Sequence, residues 1–137
     1  MPKSPPKIHV FAGQFTSRDE ACSYTEQQWE PEPDESATDD VYEQWEQRNP
    51  TWGLSDDLEI GLDPDFIETI DGKNRFKYLS GYLINDHDIN AIQESADSTN
   101  ILVLIFADAV HDRNAEFRST SKLKYCGSFD FTWNKTR

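Results

Sequence analysis

The sequence predicts one α/β domain over residues 7–137, in which helices pack on a mixed or mainly antiparallel sheet. Two strand patterns and the helix signals that precede them predict this class. The unbroken apolar run within residues 100–110 (NILVLIFADAV) predicts a central strand that is buried on both faces. Residues 123–133 (LKYCGSFDFTW) alternate in polarity and predict a strand with one solvated face. The chain has 137 residues, enough for one core, and its 12% aromatic content exceeds that of typical disordered chains.

The N-terminal region predicts a tail, a strand and a helix. Residues 1–6 contain three prolines and are expected to be disordered. Residues 7–14 (KIHVFAGQ) alternate as a strand does and end beside a glycine. Ser17 and Glu20 have capping-box spacing, in which Ser17 accepts from the Glu20 amide and Glu20 reaches back to the cap amide. The helix is expected to run to about Gln28, before two prolines end it.

A second helix is expected from Thr38 to Asn49. A capping threonine precedes two acids, which the positive end of a helix dipole favours, and a proline follows the last residue. This helix places Val41 and Trp45, four residues apart, on one face.

Four further elements are expected before the apolar run. Ser55 is expected to cap a short helix that Gly61 ends. Residues 65–70 are expected to form another helical turn, and residues 75–84 a strand. Residues 85–98 have apolar side chains at helical spacing and predict an amphipathic helix.

The negative charge is concentrated in one half of the chain. Residues 17–72 contain 18 acids and two bases, a net charge of −16, whereas the rest carries +3, and the whole chain −13. Such a segment repels nucleic acid and anionic lipid and attracts a cationic protein surface or metal ions. We therefore expect a protein partner, neither a nucleic acid nor a membrane, and a monomer.

The cysteine content and the N-terminus indicate a cytoplasmic protein. Nothing at the start of the chain resembles a secretory signal peptide, and the longest apolar run is too short to cross a bilayer. Cys22 and Cys126 are therefore expected to be free thiols in a reducing compartment.

The most unusual stretch, residues 27–52, combines eight acids with Trp29, Trp45 and Trp52. We interpret about residues 30–52 as an acidic insertion. Tryptophans dominate binding hot spots, and a surrounding acidic field speeds encounter with a basic partner. The alternative is a solvated acidic helix whose tryptophans enter the core, and each reading is expected to hold for different tryptophans.

The predicted binding surface extends beyond this insertion. Trp45 is the preferred anchor, Trp52 is the second choice, and Trp133 is expected in the core. The predicted partner-binding residues are Asp39, Asp40, Glu43, Trp45, Glu46, Trp52, Asp56, Asp57, Asp63, Asp65 and Glu68.

The sequence predicts no enzyme, no catalytic residue and no cofactor. It contains no nucleophile elbow, phosphate loop or dinucleotide fingerprint, and no histidine or cysteine pair at zinc spacing. The alternative function is a carboxylate-based metal-binding protein or enzyme that uses Asp63, Asp65 and Glu68. A capped helical turn with solvated acids is the favoured explanation of these three residues.

Several segments, taken in order, resemble the immunity protein 22 family of bacterial polymorphic-toxin systems. These are IHVFAGQFTS with a glutamate three residues later, SDDLEIGLDPDFIE at residues 55–68, and NILVLIF and LKYCGSFDF near the end. The resemblance includes Gly127, whereas residues 31–50 and 73–84 depart from the family pattern. It implies a small cytoplasmic protein that binds and neutralises a cognate toxin domain, and many such toxins are basic nucleases.

Overall fold

Four antiparallel strands form one sheet in a computed structural model that describes residues 6–112 and 114–133. The strands are β1 (Lys7–Gly13), β2 (Ile67–Asp71), β3 (Ile101–Phe106) and β4 (Lys124–Asp130), in the spatial order β2-β3-β1-β4. The prediction of an α/β domain with a mixed or mainly antiparallel sheet is confirmed, and the sheet is antiparallel throughout. Residue 6 is the only member of the predicted disordered tail within the described residues.

Helices cover both faces of the sheet. They are α1 (Arg18–Thr25), α2 (Asp39–Arg48), α3 (Gly53–Leu58), α4 (Arg75–Ser80) and α5 (Asp88–Ser95), and two 3-10 turns lie at Pro64–Phe66 and Ala107–Ala109. Within the described ranges, no helix is both long enough and apolar enough to cross a membrane.

The central strand β3 explains the unbroken apolar run. All six of its residues are buried. Val103 and its alternate neighbours pack toward α1 and α3, where they meet Leu54 and Leu58. Leu104 and its alternate neighbours pack toward α4 and α5, where they meet Ile92. Each face of β3 meets a hydrophobic layer, so a polar side chain at any of its positions would be buried among apolar groups.

The first helix begins as predicted but ends earlier. The Ser17 hydroxyl accepts from the Glu20 amide at 3.1 Å, which confirms the cap. The Glu20 carboxylate, however, accepts from the backbone amide and the hydroxyl of Thr16, one residue before the cap. The helix ends at Thr25, because Gln28 instead forms an antiparallel bridge with Thr51.

A bulge in β4 means that this strand does not have the single solvated face that the sequence predicts. The register with β1 shifts between Val10 and Phe11, so Cys126 has no partner, and Gly127 takes a left-handed φ of 118°. The bulge turns Tyr125 toward the α1 side, whereas Phe129 packs on the α4 side. The extra residue of a bulge reverses which face the following side chains occupy.

Two segments have the opposite type of secondary structure from the one predicted. Residues 67–71 form the edge strand β2, not a helical turn, and residues 75–80 form the helix α4, not a strand. In the second case Phe76 and Leu79, three residues apart in α4, pack on one cluster, and this spacing is that of a helix.

Two helix boundaries and the burial of one tryptophan also differ from the prediction. Helix α3 starts at Gly53, so Ser55 lies inside it and its hydroxyl donates to the carbonyl of Ile60. Helix α5 is shorter than residues 85–98. Trp133, expected in the core, is 48% exposed although its ring stacks on Phe106.

Candidate functional site

An acidic arm, residues 29–50, projects from the core and contains α2. The amide and carbonyl groups of Gln28 and Thr51 form two hydrogen bonds, of 2.8 and 2.9 Å, where the arm leaves and rejoins the core. No residue of the arm is buried. The arm corresponds to the predicted acidic insertion at about residues 30–52 except at its end, because Trp52 belongs to the core.

Local hydrogen bonds to Glu30 hold the arm together. Its carboxylate accepts from the Arg48 guanidinium at 2.8 Å and from the Asn49 amide at 2.9 Å. These two bonds, first Asn49 and then Arg48, lower the pKa of the Glu30 carboxyl. The Glu30 carbonyl accepts from the indole N–H of Trp45 at 3.1 Å. The arm therefore keeps its shape without contributing a side chain to the core.

The arm exposes an apolar surface between its acids. Trp29 is 57% exposed and Val41 is 44% exposed. The Trp29 ring lies 5.7 Å from that of Trp45, which is half-buried and shares one face of α2 with Val41. Trp29, which is not among the predicted partner-binding residues, is thus more available to a partner than Trp45. Its position outside both helices, two residues before Pro31, was the available signal.

Four predicted binding acids, Asp39, Asp40, Glu43 and Glu46, lie on α2 and are exposed. Within residues 6–112 and 114–133, no side-chain hydrogen bond or ion pair links these carboxylates to another residue. Their charges are therefore free to act on a partner.

Trp52 contributes a wall of a cleft instead of an exposed anchor. It is 8% exposed, and its indole N–H donates to the Thr25 carbonyl at 2.8 Å. The prediction that Trp52 can anchor a partner from the surface therefore needs correction, because most of its ring is in the core.

The cleft separates the arm from the sheet. It is lined by Thr25, Glu26, Gln27, Trp29, Trp52, Pro64 and Ile67. Its volume is about 220 Å³. Small-molecule sites usually measure about 300–1,000 Å³, so this cleft suits a single side chain of a protein partner better than a metabolite.

The remaining predicted acids form two other groups. Asp56 and Asp57 lie on α3, where Asp57 accepts from the Tyr24 hydroxyl at 2.6 Å. Burial, together with this bond, raises the pKa of Tyr24 to about 12. Asp63, Asp65 and Glu68 lie at the start of β2, beside the cleft.

The alternative metal site is not assembled. Asp63 accepts from the backbone amide of Asp65 and so caps the 3-10 turn, while Glu68 accepts from the Tyr78 hydroxyl. In the part of the chain that the structure describes, no three His, Cys, Asp or Glu side chains are grouped to hold a metal ion. Cys22 and Cys126 are free thiols, as expected.

Comparisons with known proteins add no relative to this picture. No protein-family model matches the chain, and neither the curated proteins nor the solved structures include a match. The resemblance to the immunity protein 22 family therefore stays a prediction that rests on the motifs in the sequence.

Proposed function

We propose that this chain is an immunity protein that binds and neutralises a basic bacterial toxin domain. The observation that carries the proposal is the acidic arm, which exposes Trp29 and Val41 but buries none of its residues. Trp45 helps to hold the arm together, whereas the exposed ring of Trp29 has no part in the core. Exposed apolar surface with a polar rim commonly marks a protein-binding site.

The charge distribution supports a basic partner. The unpaired carboxylates of α2 lie on the helix that carries Val41 and Trp45, and residues 17–72 carry a net charge of −16. Charge of one sign raises the association rate with an oppositely charged partner and repels competitors of like charge. The resemblance to immunity proteins adds the class of partner, a toxin domain, and the place of action, the cytoplasm.

The two kinds of residue have different roles in this proposal. The carboxylates steer the toxin domain to the arm, and Trp29, supported by Trp45, holds it by burying its exposed ring. The inhibition is stoichiometric, because the protein covers the toxin surface and does not act as an enzyme.

Binding kinetics with the product of the neighbouring gene, which the proposal expects to contain a toxin domain, test the proposal. Trp29→Ala is expected to weaken binding by about 2 kcal/mol or more, mainly through faster dissociation, if the ring enters a desolvated pocket. Trp133→Ala is the matched control, because Trp133 is also exposed but lies outside the arm.

The proposal fails if the neighbouring gene encodes no domain that this protein binds. The choice of Trp29 as the anchor is wrong if folded Trp29→Ala dissociates at the wild-type rate, as the control Trp133→Ala is expected to do.

A further inference from the structure

We propose that the toxin domain adds an extended, basic segment to the free edge of β2 and so becomes a fifth strand of the sheet. This inference rests on the proposed function and specifies how the partner binds. Strand addition to a sheet edge gives affinity through backbone hydrogen bonds and specificity through alternate side chains.

Only one of the two sheet edges suits an added strand. The edge strand β4 contains the bulge at Cys126, its Tyr125 amide donates to the Ser119 hydroxyl, and Phe131 beyond it bridges to Leu83. Bulges and covering segments protect sheet edges from pairing. The strand β2 forms the opposite edge, and among the described residues no strand lies beyond it.

The backbone of β2 presents outward groups at alternate residues. The Ile67 amide donates to the Pro64 carbonyl, and the Thr69 carbonyl accepts from the Arg18 guanidinium at 2.9 Å, so neither group points toward β3. Because the direction of the backbone N–H and C=O groups alternates along a strand, those of Asp71 also point away from β3. Once Arg18 is displaced, an added strand would meet the amides of Thr69 and Asp71 and the carbonyls of Ile67, Thr69 and Asp71.

A trough follows this edge. A second groove, lined in part by Glu26, Ile67, Thr69 and Tyr78, runs along β2 and shares Glu26 and Ile67 with the cleft beside Trp29. An extended segment can therefore follow the edge while one of its side chains enters the cleft. The trough joins the acidic arm to the sheet as one binding surface.

The charges along the trough favour a basic segment. Glu26 and Glu68 line it and Asp71 stands at its end, whereas Arg18 is the only basic residue that lines it among the described residues. Arg18 binds both the Thr69 carbonyl and the Asp71 carboxylate. This side chain covers the edge in the free protein, and an incoming strand displaces it.

A proline substitution tests the inference. Thr69→Pro removes the outward amide and leaves the ladder to β3 intact, since edge strands tolerate proline where the N–H faces solvent. It also removes the contact, 2.6 Å, between the hydroxyls of Thr69 and Thr25. Thr69→Val is the matched control, because it loses the same hydroxyl but keeps the amide.

We expect Thr69→Pro to weaken binding of the neighbouring toxin domain by about tenfold or more, and Thr69→Val to bind within about twofold of wild type. Amide exchange measured by NMR on the wild-type protein supplies a readout that needs no variant. The Thr69 and Asp71 amides should exchange about tenfold more slowly in the complex than in the free protein.

The outcomes separate the two proposals. If no complex forms, the proposed function fails and strand addition fails with it. If a complex forms but both amides exchange at their free rates, strand addition is wrong while the proposed function stands. Protection of both amides, with a loss of affinity for Thr69→Pro alone, supports both.

Discussion

At the scale of single residues, the fold strongly affects the titration of His9. It lies on β1, its ring stacks on Phe117 with centroids 3.7 Å apart, and its Nδ1 is 3.0 Å from the Tyr125 hydroxyl. Burial lowers the pKa of His9 from 6.5 to about 4. The ring is therefore neutral at physiological pH and acts as an aromatic packing residue.

This shift predicts how stability depends on pH. Between pH 6.5 and about 4 the unfolded chain protonates His9 and the folded chain does not, so acidification favours unfolding. The stabilisation is fully present above pH 6.5 and is lost as the pH falls toward 4. Thermal melting of His9→Gln should therefore show a shallower decline across this window than wild type.

The matched control for this prediction is His87→Gln, because the His87 side chain is 83% exposed. It should follow the wild-type pH curve. Equal slopes for wild type and His9→Gln would mean that protonation of His9 is not coupled to unfolding.

At the scale of elements, sequence patterns correctly predicted the segments that have a single, clear structural signal. β3 is buried on both faces and α1 has a capping serine, so their sequences carry one signal each. β2 and α4 were assigned wrongly because short elements leave little periodicity. The five residues of β2 are half-buried or exposed, and the aromatic residues of α4 fit a strand pattern as well as a helical one.

The bulge at Cys126 had no sequence signal other than Gly127. A glycine inside an alternating run is compatible with a bulge. The alternation on either side of it appears continuous in the sequence, although the side chains occupy different faces in the structure.

The acidic arm is predicted to be dispensable for folding. Replacing residues 29–50 by Asn-Gly should leave the domain folded, because Gln28 and Thr51 already form the hydrogen-bonded pair that a two-residue hairpin turn requires. The melting temperature is expected to stay within a few degrees of wild type, since the arm buries no residue. Circular dichroism melts measure this, and toxin binding should be lost.

A milder test keeps the arm and reverses two of its charges. Asp39→Lys with Glu43→Lys should change the free energy of unfolding by about 1 kcal/mol or less, because exposed charges contribute little. Unfolding of either variant at room temperature would show that the arm supports the core.

At the scale of the whole molecule, the candidate site combines features that sequence analysis treats separately. Composition located the acidic insertion and its tryptophans. It did not show that Trp52 faces the core and Trp29 the solvent, because both residues stand next to turns in polar surroundings. Nor did it show that the cleft beside Trp29 continues along the β2 edge, since that depends on how distant segments pack.

The charge asymmetry of the molecule predicts the salt dependence of toxin association. Screening acts over about 8–10 Å at physiological salt, so raising salt from about 20 mM to about 500 mM should slow association by about tenfold or more. Dissociation should change much less, because the proposed contact of Trp29 with the toxin domain is apolar. Stopped-flow kinetics at several salt concentrations separate the two rates.

The association rate and its salt dependence are expected to depend on where the acidic residues lie, and not only on how many there are. Reversing Asp39, Asp40 and Glu43 to lysine should lower the association rate and most of its salt dependence. Reversing Glu94, Asp97 and Glu116, which are exposed outside residues 17–72, changes the net charge equally and should leave association nearly as fast as in wild type. Equal effects of the two triple variants would show that total charge, not the arm, steers the toxin. An association rate that ignores salt in all three proteins would mean that the acids are only a solvated surface.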